Sequence, residues 1–304
     1  MPADWDAPEF PEDNALTKAR WELGKKLFYE TDLSRDASIS CASCHDPAIA
    51  FSDHVAVSLG VENRLGRRNA PTLANVAYHP YFTREGGVPT LEMQVLVPLQ
   101  EHDEFDFNIV LAAERLQERE EYRAMSREAY ESPVDAFVIT RALGVFERTM
   151  ISGNSAWDQY DQGDENAMDA AAIRGMELFF SKRAQCSSCH AGEQLTDFSF
   201  QNNGLYSSYE DEGRFRLTGE ESDRAVFKVP TLRNVALTAP YMHDGSIETL
   251  EEVIEHYSSG IEDHPNRSSL VQNLELSSEE KVDLLAFLQS LTDWDFVADQ
   301  KFKP

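Results

Sequence analysis

The chain has 304 residues and carries 27 Lys plus Arg against 54 Asp plus Glu, a net charge of −27 at pH 7. This length suggests about two domains. So acidic a chain repels phosphate backbones, and we expect no nucleic-acid partner. It contains no run of 18 apolar residues, so no membrane-spanning helix is predicted, and its four cysteines are too few for a disulfide scaffold.

The first predicted element is an amphipathic helix around residues 23–28, which leads to the motif Cys41-Ala42-Ser43-Cys44-His45. A similar helix around residues 174–179 leads to Cys186-Ser187-Ser188-Cys189-His190. Cys-x-x-Cys-His is the attachment motif of c-type haem, in which two thiols add to the vinyl groups and the histidine becomes the proximal iron ligand. The sequence therefore predicts two covalently bound c-type haems, one held by Cys41, Cys44 and His45 and the other by Cys186, Cys189 and His190.

Other interpretations of the cysteine pairs stay open. Each pair could be half of a zinc site or a thioredoxin-like redox pair, and the two pairs could form one four-cysteine zinc site. All of these leave the histidine after each pair unexplained. Because c-type haem is attached outside the inner membrane in bacteria, we expect a periplasmic protein. Residues 1–5 lack the basic stretch and apolar core of a signal peptide, which we expect to have been removed.

An internal repeat connects the two halves. Residues 71–77 read Pro-Thr-Leu-Ala-Asn-Val-Ala, and residues 230–236 read Pro-Thr-Leu-Arg-Asn-Val-Ala. Two shorter matches keep nearly the same offset: Pro-Tyr at 80–81 and 240–241, and Thr-Leu-Glu at 90–92 and 249–251. Each half therefore looks like one cytochrome-c-like domain, the N-terminal one over residues 1–150 and the C-terminal one over residues 151–304.

The remaining pattern predicts an all-α fold. A charged amphipathic stretch covers residues 107–130, and another helix opens at Ser132-Pro133 and runs to about residue 150, with proline in its first turn. The polar segment 152–155 indicates a linker. Residues 277–280 read Ser-Ser-Glu-Glu, which is typical of a capping box, and they open a last helix to about residue 291. Strand-like alternation is scarce, so any sheet should be small.

With these motifs in place, the sequence resembles the bacterial di-haem cytochrome c peroxidases, and within them the MauG-type branch. The resemblance covers about residues 23–291 and is carried by residues 33–45, 66–72, 94–104 and 229–245. It implies two all-α cytochrome domains with one haem each, and hydrogen peroxide as the reactant. The partner would be a small redox protein that donates electrons or a protein that is oxidised. The alternative is an electron-transfer di-haem cytochrome without peroxide chemistry, in which both irons are six-coordinate.

In this family, peroxide reacts at the N-terminal haem, whose proximal ligand here would be His45. The peroxidases place a distal histidine about eight residues before the Asn-Ala-Pro segment, and that position is Val61. We therefore expect this haem to be open to peroxide. Gln94 and Glu104 match the family's distal glutamine and glutamate. Peroxide cleavage needs a base to take a proton and an acid to return it. Both residues are predicted to be catalytic: Glu104 does both proton transfers, and Gln94 hydrogen-bonds the bound oxygens.

Two alternatives stay open around the first haem. His54 follows the motif closely and could be a ligand, or else a surface or propionate-side histidine. Glu104 ends the charged run Glu101-His102-Asp103-Glu104, which is also typical of a solvated loop.

For the haem held by His190, the resemblance implies a second ligand, which is methionine in the peroxidases and tyrosine in the MauG-type branch. Tyr257 occupies that position. A tyrosinate stabilises the higher oxidation states of iron and lowers its reduction potential. Met242 and His256 are the rival ligands.

The resemblance also implies a calcium ion between the haems, held by oxygen atoms of Asn69, Thr238 and Pro240. The MauG-type branch carries a tryptophan between the haems, and the matching residue here is Arg84. Arginine cannot be oxidised as an electron-hopping station. Electrons would therefore tunnel directly or use another aromatic residue such as Tyr81.

Overall fold

The computed structural model describes residues 5–304; residues 1–4, which entered the expectation about a signal peptide, lie outside the described residues. The chain forms two compact units. The N-terminal unit comprises Asp6–Pro80, Val88–Ile151 and Val297–Pro304, and the C-terminal unit comprises Trp5, Tyr81–Gly87 and Ser152–Phe296. A single boundary at residue 150 does not describe this division. Tyr81–Gly87 belongs to the C-terminal unit, and Val297–Pro304 belongs to the N-terminal unit.

The N-terminal unit is helical where the sequence pattern predicts helix, with some different boundaries. Its helices are α1 (Lys18–Phe28), α2 (Leu91–Gln94), α3 (Leu96–Gln100), α4 (Ile109–Gln117), α5 (Glu120–Tyr130) and α6 (Ala136–Glu147). The predicted stretch over residues 107–130 is two helices, since Arg119 between them has an extended backbone. Helix α6 begins at Ala136 rather than at Pro133, because the Asp135 carboxylate caps it by accepting from the Val138 amide at 2.8 Å.

The C-terminal unit adds a second set of helices: α7 (Ala156–Asp161), α8 (Ala170–Phe179), α9 (Phe215–Thr218), α10 (Leu250–Ser259), α11 (Ser278–Ser290) and the start of α12 (Trp294–Ala298). Strands β1 (Phe200–Gln201) and β2 (Phe227–Lys228) pair antiparallel, as expected for a small sheet. The capping box at the start of α11 is confirmed, since the Ser277 hydroxyl and the Glu280 carboxylate each accept from the other residue's amide. The expected mostly helical fold is also confirmed.

Both units are built on a crossing of two helices in close contact, α1 with α6 and α8 with α11. A Cβ atom on Gly24 would lie 2.0 Å from the carbonyl oxygen of Ala142, and one on Gly175 would lie 1.9 Å from that of Asp283. Only glycine lets the backbones approach so closely. The two glycines occupy equivalent places in the internal repeat, each three residues before the leucine of the Leu-Phe pair that precedes a haem motif.

The Pro-Thr-Leu repeats share a second device. Asn75 and Asn234 both adopt the left-handed backbone conformation, with φ of 63° and 60°. Asparagine tolerates this region better than most residues. The backbone N–H of Asn75 donates to the carbonyl of Met150 at 2.8 Å, and the backbone N–H of Asn234 donates to the carbonyl of Leu291 at 3.0 Å. Each repeat is thus hydrogen-bonded to the residues that follow the second crossing helix of its unit, which is α6 in one unit and α11 in the other.

The core of the N-terminal unit includes residues from the far end of the chain. Phe28 and Phe51 pack edge to face at 5.8 Å between ring centroids, and Phe302 packs on Phe51 at 5.6 Å and on Phe146 at 6.1 Å. Phe302 is 1% exposed, and its carbonyl accepts a hydrogen bond from the Tyr29 hydroxyl. Residues 297–304 therefore complete this core.

A separate hydrophobic core lies in the C-terminal unit. Phe179 and Phe287 meet at 5.1 Å between ring centroids, and Leu195, Ile254 and Leu291 are buried in the same cluster. Within residues 5–304, no helix combines the length and apolar character needed to cross a membrane.

Candidate active site

The two Cys-x-x-Cys-His motifs form the same turn. A short 3₁₀ helix covers Cys41–Ser43 in one and Cys186–Ser188 in the other. The amide of His45 donates to the Cys41 carbonyl at 3.0 Å, and that of His190 donates to the Cys186 carbonyl at 2.9 Å. None of the four cysteines forms a disulfide bond. Each turn holds its two thiols and its imidazole in one compact group.

Both histidines are oriented by backbone carbonyls. His45 Nδ1 lies 2.8 Å from the Phe51 oxygen, and His190 Nδ1 lies 3.2 Å from the Leu195 oxygen. A ring that donates from Nδ1 keeps the lone pair of Nε2 for a metal. Burial lowers the pKa of both imidazoles and so favours the neutral form that binds iron. The residues present therefore fit two c-type haems.

The thiols do not resemble those of a redox pair. Burial raises the pKa of Cys44 and of Cys186 to about 11 and also raises the pKa of Cys41 and Cys189. A catalytic redox thiol needs a lowered pKa. Among residues 5–304, no three or more His, Cys, Asp or Glu side chains are arranged to hold a metal ion, so the zinc interpretation gains no support.

Glu104 lies in the loop after α3, beside the position where the family's peroxidases carry their distal histidine. The Val61 amide donates to the Glu104 carbonyl at 2.9 Å, and Val61 is fully buried. Besides burial, the Glu104 charge contributes to the raised pKa of the Cys41 and Cys44 thiols. The structure therefore brings Glu104, Val61 and the first haem motif together.

The Glu104 carboxyl group has a raised pKa. Glu104 is an exposed residue by its accessible surface, although many protein atoms lie around its carboxyl group. Burial raises its pKa to about 7, with smaller contributions from the charges of Glu101 and Asp103. A carboxyl group with such a pKa can both take and return a proton near pH 7.

Gln94 is the last residue of α2, and its Oε1 is buried without a hydrogen-bond partner. An unsatisfied buried amide oxygen is costly, and such atoms are rare in native proteins. If the Gln94 amide binds a ligand, its oxygen has no partner within the protein, as observed.

His54, the rival ligand, has a different environment. Its side chain is 80% exposed, and its Nδ1 lies 3.5 Å from an Asp53 oxygen. The ring therefore belongs to the surface, and the structure offers no support for His54 as an iron ligand.

The sequence analysis missed one residue near the first motif. Glu147, at the end of α6, is 8% exposed, and burial raises its pKa to about 8. Its charge also contributes to the raised pKa of Cys41. The available signal was a carboxylate that ends an otherwise apolar run on a buried helix.

Near the second motif, Tyr257 projects from α10 towards the cysteines. Burial is the main cause of its raised pKa, and the charges of Cys186 and Cys189 add to it. Asn203 makes a side-chain hydrogen bond to Tyr257 that acts in the opposite direction. The structure thus places Tyr257 where its phenol faces the second motif.

The two rival ligands lie nearby and are already engaged. The Asn203 amide nitrogen donates to the sulfur of Met242 at 3.3 Å. His256 is buried on α10, and its Nε2 lies 3.2 Å from the Asn203 carbonyl oxygen. All three candidate ligands therefore meet at Asn203.

Arg84 lies in the segment Tyr81–Gly87 of the C-terminal unit. Its carbonyl accepts from the Lys228 amide at 2.7 Å. Burial lowers the pKa of Lys228 to about 8, and the nearby Arg84 charge adds to this. Tyr81, the other residue considered for electron transfer, stacks on Phe200 at 5.1 Å between ring centroids.

The residues expected to bind calcium belong to both units. Asn69, in the N-terminal unit, is 5% exposed and donates from Nδ2 to the Val55 carbonyl at 3.3 Å. Thr238 and Pro240 are part of the C-terminal unit. The calcium site stays a prediction.

Comparison with known proteins places the chain in a family. Residues 18–166 match the family described as di-haem cytochrome c peroxidase. The methylamine utilization protein MauG of Methylorubrum extorquens is 37% identical, over 92% of this chain and 80% of that protein. Cytochrome c551 peroxidase of Nitrosomonas europaea is 34% identical, over 89% of this chain and 79% of that protein.

The solved structures agree. The crystal structure of a MauG-like protein associated with microbial copper homeostasis superimposes with a TM-score of 0.94 and 34% identity, covering all of this chain and 97% of the other. The chain therefore belongs to the di-haem cytochrome c peroxidase family, and it is a haem-dependent, peroxidase-type oxidoreductase.

Proposed function

We propose that this protein is a periplasmic enzyme in which hydrogen peroxide reacts in the N-terminal unit, while the C-terminal unit stores or relays the oxidising equivalent. The observation that carries the proposal is Glu104. Burial raises the pKa of its carboxyl group to about 7, its backbone carbonyl accepts from the Val61 amide, and its charge acts on the Cys41 and Cys44 thiols of the first haem motif.

The side chains of the two motifs would hold the haems. Cys41 and Cys44 would form thioethers and His45 would bind iron in one unit, as Cys186, Cys189 and His190 would in the other. The bound haem supplies an iron that changes oxidation state. The polypeptide holds the macrocycle and controls the protons around it.

The role proposed for Glu104 is to carry one proton across the peroxide. Its carboxylate takes the proton from one peroxide oxygen and returns it to the other, which leaves as water when the O–O bond breaks heterolytically. Gln94 orients the peroxide through its amide. Val61 supplies no imidazole, so the approach to this site stays open.

In the C-terminal unit, Tyr257 is the proposed second ligand of the haem held by His190. The charges of Cys186 and Cys189 act on its phenol, whereas the Met242 sulfur and His256 Nε2 are hydrogen-bonded to Asn203. An anionic oxygen ligand lowers the reduction potential and so favours the storage of an oxidising equivalent. The calcium ion held by Asn69, Thr238 and Pro240 belongs to the same proposal.

Two partners are compatible with this chemistry. A small redox protein could supply the two electrons that reduce peroxide to water, or a protein substrate could be oxidised as the family resemblance implies. With a net charge of −27, the enzyme would attract a partner with a basic surface.

The absorption and paramagnetic-resonance spectra of the ferric protein test the proposal. We expect one high-spin haem, open to peroxide, and one low-spin haem. Two low-spin haems that do not react with peroxide would instead identify an electron carrier.

A further inference from the structure

Asn203 contacts all three side chains that compete to bind the second iron. Its amide nitrogen donates to the Met242 sulfur at 3.3 Å, and its side chain also hydrogen-bonds the Tyr257 phenol. Its backbone carbonyl lies 3.2 Å from His256 Nε2. One residue between β1 and α9 thus touches three potential ligands contributed by two other segments.

These contacts have unequal consequences for iron binding. An imidazole that donates from Nε2 to a carbonyl cannot offer that nitrogen to iron. The Met242 thioether is only a weak acceptor, so a hydrogen bond to its sulfur holds it in place without strengthening it as a donor. A phenol oxygen can accept a hydrogen bond and still bind a metal through another lone pair, as ligands supported by outer hydrogen bonds do.

The neighbouring asparagine has a different task. Asn202 is 1% exposed; its Nδ2 donates to the Ala225 carbonyl at 2.7 Å, and its Oδ1 accepts from the Gly204 amide at 2.8 Å. These contacts shape the loop. The Asn203 side chain instead points to Met242 and Tyr257.

Met242 is also held in an unusual backbone conformation. Its φ is +75°, in the left-handed region that costs a side-chain-bearing residue free energy. The hydrogen bond from Asn203 therefore holds a side chain whose backbone is already constrained.

We propose that Asn203 is a positioning residue that selects the ligand of the second haem, holding Met242 and His256 away from the iron while supporting Tyr257. This inference rests on the proposed ligation by Tyr257. It goes further because it assigns to the Asn203 side chain the selection of one iron ligand from three available side chains.

The test uses the holoenzyme with both haems attached and compares Asn203→Leu with Asn203→Leu/Met242→Leu. The single variant keeps the branched shape and the number of heavy atoms of the side chain, removes the amide donor and releases the thioether. We expect the charge-transfer band of a methionine-ligated ferric haem and a raised reduction potential for the second haem. In the double variant that band should be absent and the potential should move back towards the wild-type value.

Asn273→Leu is the matched control, since Asn273 is an exposed asparagine of the same unit that accepts from the Ile261 amide at 3.1 Å. It should leave the spectrum and the potential of the second haem unchanged. Asn203→Ser keeps one donor and provides a second variant if Asn203→Leu does not accumulate as holoenzyme. It should give a smaller shift in the same direction.

Two results would overturn the proposal. One is a wild-type spectrum and potential in the Asn203 variants. The other is an equal change in the single and double variants, which would mean that Asn203 is only structural. Failure of the Tyr257 assignment is a separate result, since it would appear as an unchanged potential in Tyr257→Phe with wild-type Asn203.

Discussion

The two units begin their ligand-bearing segments alike and then diverge. Thr90 and Thr249 each cap a helix, α2 and α10, within the repeated Thr-Leu-Glu sequence. Helix α10 continues for ten residues and carries Tyr257. Helix α2 ends after four residues at Gln94, and Pro98 in the next helix lacks the amide that would bond to the Gln94 carbonyl. The loop that follows carries Glu104.

This difference shows where the chemistry of the family's fold resides. The glycine crossing, the left-handed asparagine and the carbonyl that orients the histidine occur in both units. The side chains that differ lie in the segments that follow the capping residues Thr90 and Thr249. One unit offers the proposed proton-transferring acid, Glu104, and an unsatisfied amide, and the other offers the proposed iron ligand, Tyr257, beside two hydrogen-bonded rivals.

The strongest test of the proposed asymmetry is Glu104→Gln. Because proton transfer by a positioned group contributes about 10²–10⁴-fold, we expect the peroxide reaction to slow by that factor while both haems stay bound. Stopped-flow absorption after mixing with hydrogen peroxide measures the rate. Asp103→Asn, which removes the adjacent charge, is the control and should react at nearly the wild-type rate. A wild-type rate in Glu104→Gln would show that Glu104 is not catalytic.

The shared scaffold can be tested by Gly24→Ala and Gly175→Ala. In each case the new methyl group would overlap a backbone carbonyl oxygen, so we expect a loss of about 3 kcal/mol in the free energy of unfolding. Denaturant titration followed by far-UV circular dichroism provides the measurement. Gly66→Ala, whose Cβ would lie 3.3 Å from the Ser58 oxygen, should cost little. A loss in only one of the two variants would contradict an equivalent crossing.

Tyr257→Phe tests the ligand itself. Loss of the anionic oxygen should raise the reduction potential of the second haem by an amount on the order of 0.1 V, within the range that axial ligands span. A spectroelectrochemical titration resolves the two haems. Tyr209→Phe removes a neighbouring phenol and should not shift the potential. If Met242→Leu shifts the potential and Tyr257→Phe does not, Met242 is the ligand.

The smallest effect concerns the pH dependence of the peroxide reaction. Since the ionised carboxylate is the base, the rate should rise with pH through about 7, the raised pKa of Glu104. Removing a nearby negative charge favours ionisation. Glu101→Gln should therefore move the inflection to lower pH, by less than about one unit. The exposed Glu118→Gln should leave it in place, and an unchanged inflection in Glu101→Gln would argue against Glu104 as the titrating base.

Much of the scaffold could be predicted from local sequence. The cysteine motifs, the repeated Pro-Thr-Leu-x-Asn segments and the capping box at Ser277 each act within a few residues. The break at Arg119 was harder to predict, because the apolar pattern continues through it. The start of α6 was misplaced for a related reason: both Pro133 and Asp135 are good opening residues, and the hydrogen bond to Val138 decides between them.

Contacts between distant residues account for what the sequence could not show. Nothing local indicates that Asn203 meets Met242 and His256, which lie 39 and 53 positions further along the chain. The pKa of Glu104 depends on how deeply the loop is buried, and a charged run gives no measure of that. The surface position of His54 likewise became evident only from its exposure.

Residues 297–304 are synthesised after the C-terminal unit but belong to the N-terminal unit, where the peroxide reaction is proposed to occur. Phe302 belongs to the aromatic core of the unit that is translated first, so that unit is not complete until residue 302 has been made. A growing chain with only its first half available lacks this part of its core and exposes Phe51 and Phe146 to solvent or chaperones. For the same reason, deletion of residues 297–304 would disturb the N-terminal unit rather than the C-terminal unit that precedes them in sequence.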